Sequence, residues 1–400
     1  MMKRAISSLV LMLLLIITTL IIFVKYNKED KLAKKIETSK GQRNSVMEEL
    51  KDTKKGIFSK YYEKAEKKLQ TLTLDEKIAQ LFVIGNSLNS DFENLKKYQF
   101  GGYLFFKDFF NNKTEEQLKK EISEFQSYSK IPLLIAVDEE GGSVVRVSHN
   151  KNLIKQPFKS PSELYKIGGF DEIRKDTINK STFLSNLGIN LNFAPVVDIT
   201  TNPNDYMYKR ALQQEKDLTA MYAKTVISAS KDYNVSYTLK HFPGYGGNKD
   251  THTEAGIDTR TYEDIYYNDL EPFRTGIKEG AEIIMFSHNT VTSIDNKPAS
   301  ISTKIHELLR NDLNFTGIII TDDIIMSAIQ NEYTIQDAII EAILAGNDMI
   351  IVTIDKNTKI TYKDIIETVK TAIEEGKINE EDIDKIVLNI LSWKYYKGLL

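Results

Sequence analysis

The stretch Leu133-Leu134-Ile135-Ala136-Val137, followed without a spacer by Asp138-Glu139-Glu140-Gly141-Gly142, decides the fold class. Five consecutive apolar residues leave no side for water, so the segment reads as a strand buried on both faces. Within one residue the chain turns to three carboxylates and two glycines. Apolar strands that end abruptly in functional groups are a mark of parallel sheets, which gather their chemistry at the carboxyl ends of the strands.

The pattern recurs on both sides. Further apolar runs are Ile78–Ile84, Gly102–Phe106, Leu191–Val197, Val235–Leu239, Ile283–Phe286, Gly317–Ile320 and Met349–Val352. Between most of them lie segments with helical spacing, namely Glu115–Tyr128, Ile173–Leu187, Leu218–Tyr233 and Ile335–Leu344. Strands alternating with helices make parallel β/α units. Eight runs predict an α/β fold, a (β/α)8 TIM-type barrel over residues 71–400, with a doubly wound sheet as the alternative. Its entry is marked by Thr73-Leu74-Asp75-Glu76, a capping box.

Upstream the chain reads differently. Lys3 and Arg4 precede an uncharged stretch from Ala5 to Val24, which at helical rise spans a hydrocarbon core of about 30 Å. The stretch runs into Phe23-Val24-Lys25-Tyr26, a poor cleavage site, so residues 1–24 read as a transmembrane signal anchor rather than a cleaved leader. Residues 25–70, rich in Lys and Glu, read as a charged, partly helical stalk. The sequence thus predicts a membrane-anchored protein whose catalytic domain is extracytoplasmic.

Composition narrows the function. Of the 400 residues, 41% are hydrophobic and 27% charged, which excludes a largely disordered or multispanning chain. Lys and Arg total 53 against 56 Asp and Glu, a net charge of −3 and no global field for nucleic acid. With no cysteine there is no disulfide, thiol nucleophile or Cys-ligated metal.

Chemistry collects where the runs end. The third gives Asp138-Glu139-Glu140 with Arg146 behind it, the fourth Asp198, the fifth Lys240-His241-Phe242-Pro243-Gly244, the sixth His288, and the seventh Thr321-Asp322-Asp323. Three of the five histidines, His241, His252 and His288, fall in or just after these runs; His149 and His306 read as structural. In Asp250-Thr251-His252 a carboxylate two residues from an imidazole can orient it and raise its basicity, making it a candidate proton donor and acceptor. A polar turn is the simpler reading of that tripeptide. A zinc site is not expected, because no second histidine stands at helical ligand spacing. Asp322, directly after an apolar strand, would face a barrel mouth and is a candidate nucleophile for a sugar anomeric carbon; Asp323 is the better helix N-cap.

At these residues the chain resembles glycoside hydrolase family 3, in its bacterial β-N-acetylglucosaminidase (β-N-acetylhexosaminidase) branch, over residues 71–400. The resemblance rests on ordered motifs: Leu74-Asp75-Glu76-Lys77-Ile78-Ala79-Gln80-Leu81; Ala136-Val137-Asp138-Glu139-Glu140-Gly141-Gly142 with Val145-Arg146; Asn192-Phe193-Ala194-Pro195-Val196-Val197-Asp198; Lys240-His241-Phe242-Pro243-Gly244; Pro298-Ala299-Ser300-Ile301-Ser302; Thr321-Asp322-Asp323-Ile324; and Ala345-Gly346-Asn347-Asp348. It implies the barrel and a retaining exo-hydrolase for terminal β-linked N-acetylglucosamine. By the same resemblance Asp322 is the nucleophile and Asp250 with His252 the acid/base dyad. Asp138, Arg146, Lys240, His241 and, in Tyr208-Lys209-Arg210-Ala211-Leu212, Arg210 would bind the terminal sugar. No metal or organic cofactor is implied. The expected partners are a carbohydrate, peptidoglycan fragments being the expected source, and the membrane through the N-terminal helix.

The chain departs from the family pattern in two places. Tyr245 stands where histidine is common, in a loop about one residue shorter before the dyad aspartate, and Ala211 replaces a small hydroxyl residue. Relatives with β-glucosidase activity carry a second α/β domain; a chain ending at Leu400 is expected to lack it. The alternatives are another exo-β-glycosidase such as a β-glucosidase, a β-N-acetylglucosaminide phosphorylase, or a membrane-tethered saccharide-binding protein.

Overall fold

The computed structural model describes residues 56–86, 92–248, 250–251, 256–354 and 358–400. Among the described residues there are ten strands: β1 (Phe82–Asn86), β2 (Gly102–Phe105), β3 (Leu134–Val137), β4 (Leu191–Asn192), β5 (Ser236–Phe242), β6 (Ile257–Asp258), β7 (Ile283–Phe286), β8 (Thr290–Val291), β9 (Ile318–Asp323) and β10 (Met349–Ile354). Eight of them close a parallel barrel in the order β1-β10-β9-β7-β5-β4-β3-β2, and β6 pairs with β8 in a separate parallel ribbon beyond the strand ends.

Each of the eight apolar runs supplies one barrel strand, with two shifts of boundary. The first run begins in a helix, Leu74–Gln80, whose start is fixed by Thr73: Oγ1 accepts from Glu76 N–H, and Glu76 Oε2 accepts from Thr73 N–H at 2.9 Å. The fourth contributes only Leu191 and Asn192 to the ladder before Pro195, which has no N–H to give; Val196 regains a single bridge to Lys240.

The barrel interior is filled in layers. Ile318 and Ile320, Met349 and Ile351, Ile283 and Met285, and Leu134 and Ala136 alternate inward along their strands and are buried. The amino end is plugged by Phe58, Ile390 and Trp393, which belong to the same cluster. Between about 15 and 25 cal/mol per Å² of apolar area goes into such a core, so the plug is part of the barrel's stability rather than a decoration of it.

One expectation is corrected here. Among the described residues no helix is long and apolar enough to cross a membrane. The span expected over residues 5–24 lies outside the described residues, as does the stalk up to residue 55. The fold class, read as a barrel preceded by a transmembrane helix and stalk, is therefore a closed eight-stranded α/β barrel. Within the stretch read as a charged, partly helical stalk, the described residues include a helix, Tyr62–Leu69, that packs against the last helix, Glu380–Tyr396. Its Ala65 and Leu69 are buried while its lysines and glutamates face outward.

Candidate active site

The same alternation that fills the core builds the site. On β9 the inward positions Ile318 and Ile320 are followed two residues on by Asp322; on β3, Leu134 and Ala136 are followed by Asp138. The apolar layers thus give way to carboxylates at the carboxyl ends of the strands. On β5 the register against β7 shifts between Lys240 and Phe242, and the side chains of the consecutive Lys240 and His241 both line the pocket. The peptide between them is cis, as are Ala194-Pro195 and Phe242-Pro243.

The pocket at this end is lined by Asp138, Glu140, Val144, Arg146, Tyr206, Met207, Arg210, Lys240, His241, Tyr245, Thr251 and Asp322. Six residues singled out from sequence therefore meet in one place: Asp138, Arg146, Arg210, Lys240, His241 and Asp322. Burial raises the Tyr206 phenol most, and Asp250 lies close enough to raise it further, against the lowering influence of Arg210. His252 lies outside the described residues.

Asp322 is half-buried in the pocket lining, with Oδ1 accepting from the Asp323 N–H at 2.8 Å. Burial opposes its charge, but His241, His288 and Lys240 outweigh it and hold the carboxyl below the ordinary aspartate value. An ionised carboxylate at the base of a polar pocket is what a nucleophile requires. Around it runs a charge network. Lys240 Nζ lies 2.8 Å from Asp138 Oδ1 and 2.7 Å from Glu140 Oε1. Arg210 grips the same Glu140 in a two-pronged pair, Nε to Oε2 at 2.9 Å and Nη2 to Oε1 at 2.7 Å. Burial raises the Glu140 carboxyl, yet the two cations overcome that and drive it far below its usual range. The Lys240 ammonium is likewise kept charged by Asp138 and Glu140 against desolvation.

Two residues act on ligand-facing groups from behind. Asp198 Oδ2 lies 2.7 Å from His241 Nδ1, and Oδ1 accepts the backbone N–H of Tyr245 at 2.8 Å. A carboxylate partner places the ring proton on Nδ1 and fixes the face the imidazole presents. Glu139 is buried and accepts the N–H groups of Arg146 and Val147 at 2.8 and 2.7 Å, together with the Ser148 hydroxyl. It thereby shapes the loop carrying Arg146, whose Nε is buried with no hydrogen-bond partner among the described residues, a donor available to a ligand. His288 is a neighbour of Asp322 rather than a wall of the pocket. Its Nε2 meets the Asp323 carbonyl at 2.9 Å and its Nδ1 the Ser300 hydroxyl at 2.7 Å, so it braces the backbone beside Asp322.

Sequence reasoning passed over Glu140, Tyr206 and Tyr245 as site residues. Glu140 was visible only as one of three adjacent acids; its mark is the bond to Arg210, seventy residues away.

Residues 73–393 match the family model described as glycosyl hydrolase family 3 N terminal domain. The chain belongs to glycosyl hydrolase family 3. As a family 3 member it is a glycoside hydrolase. It is 28% identical over 329 residues to beta-hexosaminidase LpqI of Mycobacterium tuberculosis, covering 80% of this chain and 82% of that protein. It is 32% identical over 263 residues to a beta-hexosaminidase of Nitrosomonas eutropha, covering 64% of this chain and 75% of that one. Among solved structures, a glycoside hydrolase family 3 beta-N-acetylglucosaminidase from Paenibacillus sp. superposes with a TM-score of 0.76 at 28% identity. That match covers 82% of this family 3 chain but 63% of the Paenibacillus one, less than two thirds of its length. The structure of M. tuberculosis LpqI gives a TM-score of 0.72 at 26% identity over 82% of this chain and 95% of that one.

Proposed function

We propose that this family 3 barrel is a retaining exo-β-N-acetylglucosaminidase, acting on terminal β-linked N-acetylglucosamine released from peptidoglycan. The observation that carries the reading is Asp322, a half-buried carboxylate held ionised in the lining of a pocket rich in charged and hydrogen-bonding side chains. Relatives named beta-hexosaminidase support the choice of sugar.

In the first step Asp322 attacks the anomeric carbon, the glycosidic C–O bond breaks, and His252 gives its proton to the departing oxygen. In the second, His252 takes a proton from water as that water attacks the anomeric carbon, and the Asp322 carboxylate leaves. Asp250 orients the imidazole and stabilises its charged form. Asp138 and Glu140, themselves set by Lys240 and Arg210, accept from sugar hydroxyls, and the spare donors of Arg146 and Lys240 bind sugar oxygens. This division of roles explains why so many charges are buried together. Asp138, Glu140 and Lys240 each have an opposite charge beside them, which keeps them ionised and fixes their orientation.

The test is turnover by the purified protein of matched chromogenic β-linked N-acetylglucosaminide and glucoside, with and without phosphate. Faster hydrolysis of the N-acetyl sugar in phosphate-free buffer is expected. Preference for the glucoside would move the enzyme to another specificity, and turnover that requires phosphate would make it a phosphorylase.

A further inference from the structure

Tyr245 is a large side chain, 1% exposed, yet its polar atoms all engage parts of the site. Its hydroxyl lies 2.8 Å from Thr251 Oγ1 and accepts the Thr251 backbone N–H at 3.0 Å. Its own backbone N–H donates to Asp198, the carboxylate that orients His241, and its carbonyl accepts from the Asn248 and Asn289 side chains at 2.8 and 3.2 Å. Its ring meets His241 edge-on, with centroids 5.5 Å apart, and its centroid lies 5.8 Å from that of Tyr206, whose phenol is raised by burial and by Asp250.

Thr251 is the residue between Asp250 and His252 in the chain, and it is itself 1% exposed. Its third polar group is also fixed: the carbonyl accepts the N–H of Ala328, on the short helix that follows the nucleophile strand β9. Every hydrogen-bonding atom of Thr251 is therefore tied down, two of them by one phenol. Burial keeps that phenol protonated well beyond neutral pH, so its O–H remains available to the threonine.

We infer that Tyr245 is a positioning residue for proton transfer: its hydroxyl clamps Thr251, which the chain joins directly to Asp250 on one side and to His252 on the other. The inference rests on the acid/base reading of that pair. A loop of glycines and polar residues, Gly244-Tyr245-Gly246-Gly247-Asn248, has little else to hold a catalytic proton donor to within the tolerance its chemistry needs. Tyr245 and Thr251 both line the pocket, and the clamp works through the segment it holds.

A positioning role for proton transfer has a signature that general damage lacks. Departure of a good leaving group needs little protonation, whereas a poor one depends on it. The variant Tyr245→Phe should therefore lower kcat/KM about 10- to 100-fold for phenyl β-N-acetylglucosaminide and less than about 3-fold for the dinitrophenyl analogue, since well-placed acid catalysis contributes about 10²- to 10⁴-fold. Thr251→Val keeps the backbone bond and loses the hydroxyl contact, so it should show the same selectivity at smaller size; it carries the test if Tyr245→Phe does not fold. Equal losses on both glycosides, or no loss in either variant, would overturn the positioning role while leaving the enzyme's function intact. A wild-type protein that turned over neither glycoside would instead overturn the functional reading, and the positioning role with it.

Discussion

Lys240 and Lys394 are both buried in the barrel, one at each end, and they are held in opposite ways. At the carboxyl end Lys240 sits between two carboxylates, Asp138 and Glu140, which keep its ammonium charged. At the amino end Lys394 donates to Gln80 Oε1 at 2.8 Å and to the Gly101 carbonyl at 3.0 Å, both neutral acceptors. Desolvation without a counter-charge pushes its amine down to about 7. The comparison separates two uses of a buried polar group. One end maintains charges that a substrate can meet. The other uses a long side chain to fill space and satisfy two acceptors, and gives up the charge.

The functional end breaks most completely at Asp322. Asp322→Asn keeps size and shape but removes the charge, and turnover should fall by at least about 10³-fold with the fold unchanged, as expected for a lost nucleophile. A pre-steady-state burst of released aglycone in the wild type should vanish with it. Near wild-type rates in the variant would remove Asp322 from that role. Lys240→Met should cost both activity and stability. It leaves Asp138 without its cation and Glu140 with Arg210 alone, and breaking a buried pair from one side costs about 3 kcal/mol or more. Urea unfolding of the variant should show that loss, and kcat/KM should fall by at least about 10²-fold through misplaced sugar ligands.

These two effects are legible in sequence to different depths. Asp322 and Lys240 stand at the ends of apolar runs, where parallel strands deliver their chemistry, so strand pattern and motif found them together with Asp138, Arg146, Arg210 and His241. Glu140, Tyr206 and Tyr245 were not found, because what brings each of them to the pocket is a partner distant along the chain or a contact through a folded loop. Tyr245 was visible only as a departure from a pattern; its hydroxyl's grip on Thr251 is a property of the fold. The amino end was harder still. An apolar run does not say whether it is helix or strand, so Ile78 was read into β1 while it lies in the helix before it. The lysine-rich composition around residues 57–69 allowed for helix but hid its buried edge, Ala65 and Leu69, and it hid Phe58, which fills the barrel floor.

The smallest effect is expected at Lys394, and it sharpens the comparison most. Lys394→Met leaves two acceptors without their donor, at about 1 kcal/mol each, but removes the cost of burying an amine. At neutral pH the two terms should nearly cancel, with turnover unchanged. The pH dependence distinguishes the charged from the uncharged state. An unfolded lysine titrates near 10.5 and the folded one near 7. Between those values the unfolded chain binds more protons, so wild-type stability rises with pH through that window and is flat below it with respect to this group. The methionine variant lacks this contribution. Its stability relative to wild type should be highest at about pH 6 and fall steadily towards about pH 10, read from urea midpoints of both proteins across the range. Parallel profiles would mean that Lys394 stays charged when folded, and that the amino end tolerates a buried ammonium without a carboxylate. The contrast with Lys240 would then lie in the geometry of its partners and not in their charge.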